Sequence, residues 1–180
     1  MKKIGLIAIA VAVVVVVAVA AFFMVSNQPA TPTLTPTPTP TSTGTKHYSG
    51  SGISFDYPDT WGTETPNTPD MIVALGDRQA GVVFVAGKST MPSGSTLKIV
   101  NDQVVMSMNP TRVISGSFPV VDGVTACETV FEAQDARIIF VCLEKNGMIY
   151  SMFGYASPEG FDAARTGFDM AINSFKVTFS

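Results

Sequence analysis

The sequence predicts an α+β domain, an antiparallel β-sheet flanked by helices, preceded by one N-terminal transmembrane helix and a disordered Thr/Pro stalk. Three observations carry this prediction. They are an uncharged apolar run, a Thr/Pro tract directly after it, and alternating apolar segments interrupted by two helical stripes. Accordingly, residues 1–25 are expected to form the anchor, residues 26–46 the stalk and residues 47–180 the globular domain.

The anchor prediction rests on residues 4–25, which contain no charged side chain and follow Lys2 and Lys3. A helix of this length reaches about 33 Å, enough to cross a hydrocarbon core of about 30 Å. A cleaved signal peptide is the alternative, but the run is longer than a usual signal core, which favours a retained anchor. The two lysines orient the N-terminus towards the cytoplasm and the C-terminal domain outside it. The chain is thus expected to be a single-pass protein of the cell membrane.

The stalk is predicted from composition. Residues 26–45 contain five prolines and eight threonines. Each proline fixes φ and removes a backbone donor, and the segment has no apolar surface whose burial would repay the entropy of ordering. We therefore expect a disordered spacer between membrane and domain. An O-glycosylated stalk and an unmodified linker both fit this composition.

Strands of the globular domain are predicted from alternation and from apolar runs bounded by turn residues. Residues 52–57 place Ile53, Phe55 and Tyr57 on one face and stop at Pro58. The further predicted strands are Met71–Leu75, Gly81–Ala86, Thr111–Val121, Val124–Ala133, Ala136–Glu144, Met148–Ala156 and Phe175–Phe179.

Two helices are predicted from capping residues and apolar stripes. Ser95 is expected to cap a helix over Thr96–Met108, which Pro110 ends. The segment Ser157-Pro158-Glu159 combines a capping hydroxyl, a first-turn proline and an acid, and it is expected to start the second helix. The stripe of that helix is Phe161, Ala164, Phe168, Ile172 and Phe175. The element order then implies an antiparallel sheet with packed helices.

A disulfide is predicted between Cys127 and Cys142. A tight turn at Gln134-Asp135 would place residues whose numbers sum to 269 opposite each other, and these two cysteines satisfy that sum. Directly opposed residues have Cα separations of about 4.5–5.5 Å, within the range of a disulfide. Outside the cytoplasm such a bond should persist. The same register places Glu132 opposite Arg137 and Phe131 opposite Ile138. Two free buried cysteines and a one-residue slip of the register are the alternatives.

The domain lacks most patterns that catalysis or cofactor binding requires. It has no G-x-S-x-G motif, phosphate-binding loop or dinucleotide fingerprint, and the one histidine of the chain is His47. A histidine-dependent triad and a His-rich metal site are therefore excluded. We expect no enzymatic activity and no cofactor. The catalytic alternative is a carboxylate pair, either Asp56 with Asp59 or Glu128 with Glu132. A turn around Pro58 explains the first pair more simply, and Glu128 and Glu132 are expected on the solvated face of a strand.

Three residues are candidates for ligand contact. Trp61 is expected to pin a loop to the core, with ligand stacking as the alternative. Asp56 and Asp59 flank the turn before it, and with Asp70 they could offer oxygen ligands to Ca²⁺, although no EF-hand spacing is present. The domain has eight Lys/Arg against fourteen Asp/Glu and no basic patch. Nucleic acid is therefore not expected as a partner.

A family resemblance adds to these inferences. GISFDYPDTWG at residues 52–62 resembles the F-x-Y/F-P-x-x-W opening of the PsbP superfamily, and AINSFKVTF at residues 171–179 is similar to its last helix and strand. This implies a PsbP-like α/β/α sandwich. The stalked arrangement resembles the membrane-anchored, PsbP-related surface proteins of archaea, for which no activity is generally assigned. A photosynthetic role is not implied, because this domain is acidic.

These features predict a membrane-tethered, extracytoplasmic binding or scaffolding module with a protein partner at the cell envelope. Two alternatives stay open. One is a carboxylate-dependent hydrolase, and the other is a domain that senses a small ligand or ion at the cell surface. The hydrolase needs two carboxylates in different environments, and the sensor needs a concave apolar pocket.

Overall fold

The computed structural model describes residues 44–64 and 70–178. The predicted anchor at residues 1–25 and all but the last three residues of the predicted stalk at residues 26–46 lie outside the described residues. Within the described part of the chain, no helix is long and apolar enough to cross a membrane. The first strand begins at Thr45, two residues before the predicted start of the domain.

The elements of the described chain alternate much as the sequence predicts. In chain order they are β1 (Thr45–Gly50), β2 (Ile53–Pro58), β3 (Gly62–Glu64), β4 (Met71–Asp77), β5 (Val82–Thr90), α1 (Leu97–Ser107), β6 (Arg112–Ser117), β7 (Val120–Val121), β8 (Val124–Thr125), β9 (Cys127–Ala133), β10 (Ala136–Lys145), β11 (Met148–Ala156), α2 (Phe161–Ser174) and β12 (Lys176–Val177).

Seven of these strands form one main antiparallel sheet in the order β3-β4-β5-β11-β10-β9-β6. A second sheet has the order β1-β2-β12, and β7 and β8 form a separate short hairpin. Every strand pair is antiparallel. The predicted α+β class is confirmed.

The main sheet is buried on both faces. One face packs against α2 and the second sheet, and the other packs against α1. Strand β10 lies inside the sheet between β11 and β9, and its residues 138–143 are buried without interruption. The face towards α2 is filled by Leu75, Phe84, Ile139, Val141, Leu143 and Met152, and the face towards α1 by Val85, Phe131, Ile138, Phe140 and Phe153. The predicted arrangement of helices on both sides of the sheet is therefore confirmed.

The helix starts differ from the prediction by a few residues. Helix α1 is capped by Thr96 rather than Ser95, and Thr96 Oγ1 accepts a hydrogen bond from Ile99 N at 3.3 Å. Helix α2 begins at Phe161, because Ser157 first forms a turn in which its Oγ accepts from Gly160 N at 3.1 Å. The capping hydroxyls thus indicated the regions in which both helices begin. They did not identify the exact first residue, because neighbouring hydroxyls can take the same hydrogen bond.

Two predicted strands are each divided into a long and a short strand. The predicted strand Thr111–Val121 becomes β6 and β7, and the predicted strand Val124–Ala133 becomes β8 and β9. The break in the first lies at Phe118-Pro119, and the carbonyl of Pro119 accepts from Ala126 N at 2.8 Å. Proline lacks the donor that a continuing ladder needs, which explains the division.

Asp122, in the turn between β7 and β8, ties three parts of the fold together. Its carboxylate accepts hydrogen bonds from Lys145 Nζ at 2.5 Å and from Val177 N at 2.9 Å, and Lys176 Nζ lies 3.5 Å away. Burial alone would raise the pKa of the Asp122 carboxyl. The hydrogen bonds from Lys145 and Val177 and the charges of both lysines outweigh burial, so the pKa lies below its ordinary value.

Replacing Asp122 by asparagine should therefore lower stability in a pH-dependent way. A depressed folded-state pKa contributes stability above the unfolded pKa of about 3.9, and this contribution is lost as the pH falls through the folded pKa. We expect D122N to cost about 1–2 kcal/mol of unfolding free energy at pH 7 and much less at pH 2. Urea unfolding at both pH values measures this. The exposed Asp135→Asn change is the control, and an equal loss for D122N at both pH values would contradict the argument.

Candidate functional site

Trp61 is a core residue. Its side chain is 4% exposed, and its ring centroid lies 5.8 Å from those of Phe84 and Phe168. Gly167 of α2 packs against the indole, and a Cβ at this glycine would lie only 2.7 Å from Trp61 Cζ2. The absence of a side chain at Gly167 therefore lets α2 approach the ring. The structure thus places Trp61 where it pins the segment after β2 to the core.

A shallow groove of about 280 Å³ lies above Trp61. It is bounded by the end of β2, the turn between β4 and β5, and α2. Its apolar lining includes Pro58, Trp61, Val82, Ala164, Gly167 and Met170. The carboxylate of Asp77 at its rim already accepts hydrogen bonds from Gln79 N at 2.9 Å and Ala80 N at 3.0 Å. The groove can therefore hold a small apolar group.

Asp56 and Asp59 do not line the groove with Trp61. The carboxylate of Asp56 is hydrogen-bonded to His47 Nδ1 at 2.7 Å across the β1–β2 pair, and both side chains are exposed. The backbone of Asp59 is hydrogen-bonded to the start of the described chain. Its N–H donates to the carbonyl of Gly44, and its carbonyl accepts from Lys46 Nζ. The three predicted ligand-contact residues are thus not brought together.

The predicted Ca²⁺ alternative finds no support in the geometry. Among the described residues, Asp56, Asp59 and Asp70 are not part of any group of three acidic, histidine or cysteine side chains that could hold a metal ion. Asp56 lies in β2 of the second sheet, whereas Asp70 directly precedes β4 of the main sheet.

The predicted carboxylate pair in β9 is engaged by arginines. Glu128 accepts from Arg165 Nη2 at 3.2 Å, and Glu132 accepts from Arg137 Nη2 at 2.9 Å. Their side chains are 14% and 24% exposed, so they do not lie on a fully solvated face as the sequence suggests. Alternation in β9 turns both glutamates towards the α2 side, where Arg165 of α2 meets the first of them. Each carboxylate therefore has a structural ion-pair partner.

The cysteine register is confirmed, although no disulfide is formed in this structure. Cys127 and Cys142 are directly opposed in the β9–β10 pair, as are Glu132 with Arg137 and Phe131 with Ile138. Both cysteines are buried free thiols. Burial raises the pKa of both thiols above the ordinary value, and the charge of Cys127 adds to the shift of the Cys142 pKa. The predicted disulfide is therefore absent here, but the backbone places the two residues where one would form.

One surface was not predicted as a site. Strand β6 is the last strand of the main sheet and pairs with β9, and every residue from Thr111 to Phe118 is exposed. We call the large apolar side chains on and beside β6 the β6 surface. They are Val113 (55% exposed), Ile114 (38%), Phe118 (64%) and Val120 (70%). The sequence signal that could have revealed an edge strand is the pair Pro110 and Pro119 on either side of it.

Comparisons with known proteins identify the fold. The CyanoP protein, the cyanobacterial PsbP of Synechocystis, superimposes with a TM-score of 0.54 at 18% identity, covering 81% of this chain and 98% of CyanoP. The chain has a PsbP-like fold. LpqN, described as involved in cell envelope biogenesis of Mycobacterium tuberculosis, gives a TM-score of 0.56 at 13% identity, over 76% of this chain and 91% of LpqN.

A structure of the protein Mog1 gives a TM-score of 0.55 at 11% identity, over 76% of this chain and 97% of Mog1. No protein-family model matches the chain, and no curated protein matches it by sequence. The likeness to PsbP-like structures at these identities is a likeness of fold. Function has to be argued from the surfaces of this chain.

Proposed function

We propose that this protein is a membrane-tethered, extracytoplasmic binding or scaffolding module that acts by contact with a protein partner rather than by catalysis. The observation that carries the proposal is the β6 surface. The predicted anchor and stalk would display the domain outside the cytoplasm. LpqN, a neighbour in fold, is described as involved in cell envelope biogenesis, and the proposed role at the cell envelope agrees with that description.

An exposed edge strand of this kind is a binding element. Its outer edge presents backbone donors and acceptors, and natural edge strands are usually shielded by charges, prolines or neighbouring elements. Strand β6 carries one charged residue, Arg112, at its first position, and the flanking Pro110 and Pro119 lie outside the strand itself. Val113, Phe118 and Val120 are all more than half exposed beside it. An added strand with apolar side chains would satisfy the edge and cover these residues.

The carboxylates of the domain support binding over catalysis. A carboxylate pair in catalysis needs two acids in a shared cleft with different environments. Glu128 and Glu132 are instead paired with arginines, and Asp56 is exposed beside His47. Asp122 is paired with two lysines away from the groove above Trp61. The hydrolase alternative therefore has no geometric support among these residues.

The groove above Trp61 favours a second candidate function, the sensing of a small ligand. Its volume of about 280 Å³ is near the lower end of ligand sites, and its lining is mainly apolar. It would suit a small aliphatic group or a proline ring. The groove is shallow, however, and its indole floor is 4% exposed. The β6 surface is consequently the better candidate for binding a partner.

The proposal is tested by a cross-linking pull-down from native membranes with the tagged full-length protein. We expect a reproducible envelope partner with the wild type and at least a tenfold lower recovery with Val113→Lys, because a charge on an edge strand opposes strand addition. Val113 is 55% exposed, so the substitution should leave the fold intact. Thr63→Lys places the same charge on exposed β3, the strand at the other end of the sheet.

Thermal unfolding of both variants checks that they remain folded. Loss of the partner with V113K but not with T63K would support the β6 surface. Equal recovery with all three proteins would exclude this surface, and reproducible blanks with the wild type would favour the groove above Trp61.

A further inference from the structure

We infer that the occupant of the β6 surface is a second copy of this chain, whose β6 pairs antiparallel with the first across a twofold axis. This inference rests on the proposed function and names the partner. It would join two seven-stranded sheets into one continuous sheet. Three features of the described residues support it. They are the lack of acidic residues around β6, a twofold register in which β6 can pair with a copy of itself, and the prolines on either side of the strand.

The charge distribution favours self-pairing at this surface and opposes it elsewhere. The domain carries fourteen acids against eight bases, so two copies repel each other at most orientations. The segment between Asp102 and Asp122 contains no acid, and its one charged residue is Arg112. Strand β6 lies inside this segment, at the end of the sheet. Contact through β6 therefore brings together the regions of the two copies that repel each other least.

A twofold axis through Ser115 suits the strand. Ser115 of one copy then lies opposite Ser115 of the other, and Arg112 of each copy lies towards the Ser117 end of its partner. The two Arg112 residues are then about 20 Å apart along the strands, farther than the screening length of about 8 Å at physiological salt. No like charges face each other. The exposed Val113 and Ile114 of each copy gain a neighbouring strand beside them.

The prolines limit the pairing to one short register. Pro110 and Pro119 cannot donate to a ladder, so added hydrogen bonds are confined to residues 111–118. A shift of the β6–β9 register between Val113 and Ser115 further restricts how a second strand can slide. Because the twofold pairing uses the same edge of both copies, neither copy has a free β6 edge left in the dimer. The expected product is a closed pair rather than a growing fibre.

Tethering would help a weak contact of this kind. An interface of a few strand residues and four exposed apolar side chains is smaller than that of a stable soluble complex. Anchoring two copies in one membrane by their N-terminal segments raises the local concentration of each for the other. The pairing is therefore expected in the membrane, at the density of the native protein.

Cysteine cross-linking of the full-length chain in membranes tests the pairing. Ser115→Cys should form a disulfide-linked dimer with mild oxidant, since opposed residues in an antiparallel pair satisfy disulfide geometry. Ser93→Cys, exposed in the loop between β5 and α1, is the matched control and should remain monomeric. The wild type should also remain monomeric, because Cys127 and Cys142 are buried. Adding Val113→Lys to S115C should reduce the dimer at least tenfold.

The outcomes separate this inference from the proposed function. A dimer with S115C and not with S93C supports self-pairing. Similar dimer yields for both variants would show random collision and overturn it. A monomeric S115C protein together with a captured partner that V113K loses would also overturn self-pairing, while the proposed function stands with a different strand as occupant. A monomeric S115C protein whose captured partner is unaffected by V113K would overturn both.

Discussion

Replacing Phe168 by alanine is expected to lower the free energy of unfolding by roughly 3–5 kcal/mol. The side chain is 0% exposed, and its ring lies 5.8 Å from both Trp61 and Phe161. It also fills the space above Gly154, where a Cβ would lie 2.7 Å from Phe168 Cδ1. Removal of the ring therefore leaves a cavity at the centre of the α2 interface, and rigid neighbours on the sheet cannot close it.

The measurement is urea unfolding of the protein shortened to begin at Gly44, the first described residue. Strand β1 starts at Thr45, so a cut after residue 46 would remove two of its residues. Met106→Ala is the matched control, because this apolar side chain on α1 is 67% exposed and should cost little. A loss below 1 kcal/mol for F168A would contradict the packing of α2 described above.

Oxidation of Cys127 and Cys142 to a disulfide is expected to raise the free energy of unfolding by about 2–4 kcal/mol. The bond would close a loop of about 15 residues in the unfolded chain, for which the chain-entropy estimate is about 3 kcal/mol. The two residues are directly opposed in β9 and β10, so little backbone movement is needed. Burial raises the pKa of both thiols, which keeps them protonated and slow to react once the domain has folded.

In the proposed location outside the cytoplasm, we expect the bond to form during folding. Thiol titration of the unfolded, unreduced protein from native membranes should find no free thiols, and two free thiols would contradict the prediction. Unfolding of oxidised and reduced protein gives the energy difference. A Cys127→Ala, Cys142→Ala double variant is the control, because its stability should be insensitive to reductant.

The β6 surface connects the fold to the proposed role. A PsbP-like fold alone does not define a function. Here one edge of the sheet is left exposed, with apolar side chains beside unpaired backbone groups. The carboxylates considered for catalysis are engaged in ion pairs or exposed away from the groove. The proposed binding through the edge of β6 rests on these features.

Local patterns predicted the elements because each pattern reports a single short-range cause. Alternation placed Phe55 and Tyr57 on the buried face of β2, and the stripe of Phe161, Phe168 and Ile172 was buried in α2. The register of β9 and β10 followed from a two-residue turn, which determines every later pair in a hairpin. Helix starts were less accurate, since Thr96 rather than Ser95 provides the cap of α1.

The site residues were predicted less well, because binding surfaces depend on which elements become neighbours. Asp56, Asp59 and Trp61 are close in the sequence, yet Trp61 turns into the core while Asp56 stays exposed. Glu128 and Glu132 were expected on a solvated face, but α2 covers that side of the sheet and Arg165 reaches Glu128. The ion pair of Glu128 with Arg165 joins two distant segments, and the sequence did not predict it. The pair of Glu132 with Arg137 follows from the β9–β10 register and was predicted.

The sequence by itself determined the α+β class, the cysteine register, the acidic charge of the domain and its single histidine. These properties follow from composition and from contacts between residues near each other in the chain. The tertiary structure alone decided that β6 is the outermost strand, because its position depends on which strands pair across long separations. That long-range order leaves Val113 and Phe118 in solvent while the apolar residues of β10 are buried, since a strand at the edge of a sheet lacks the neighbours that cover a central one.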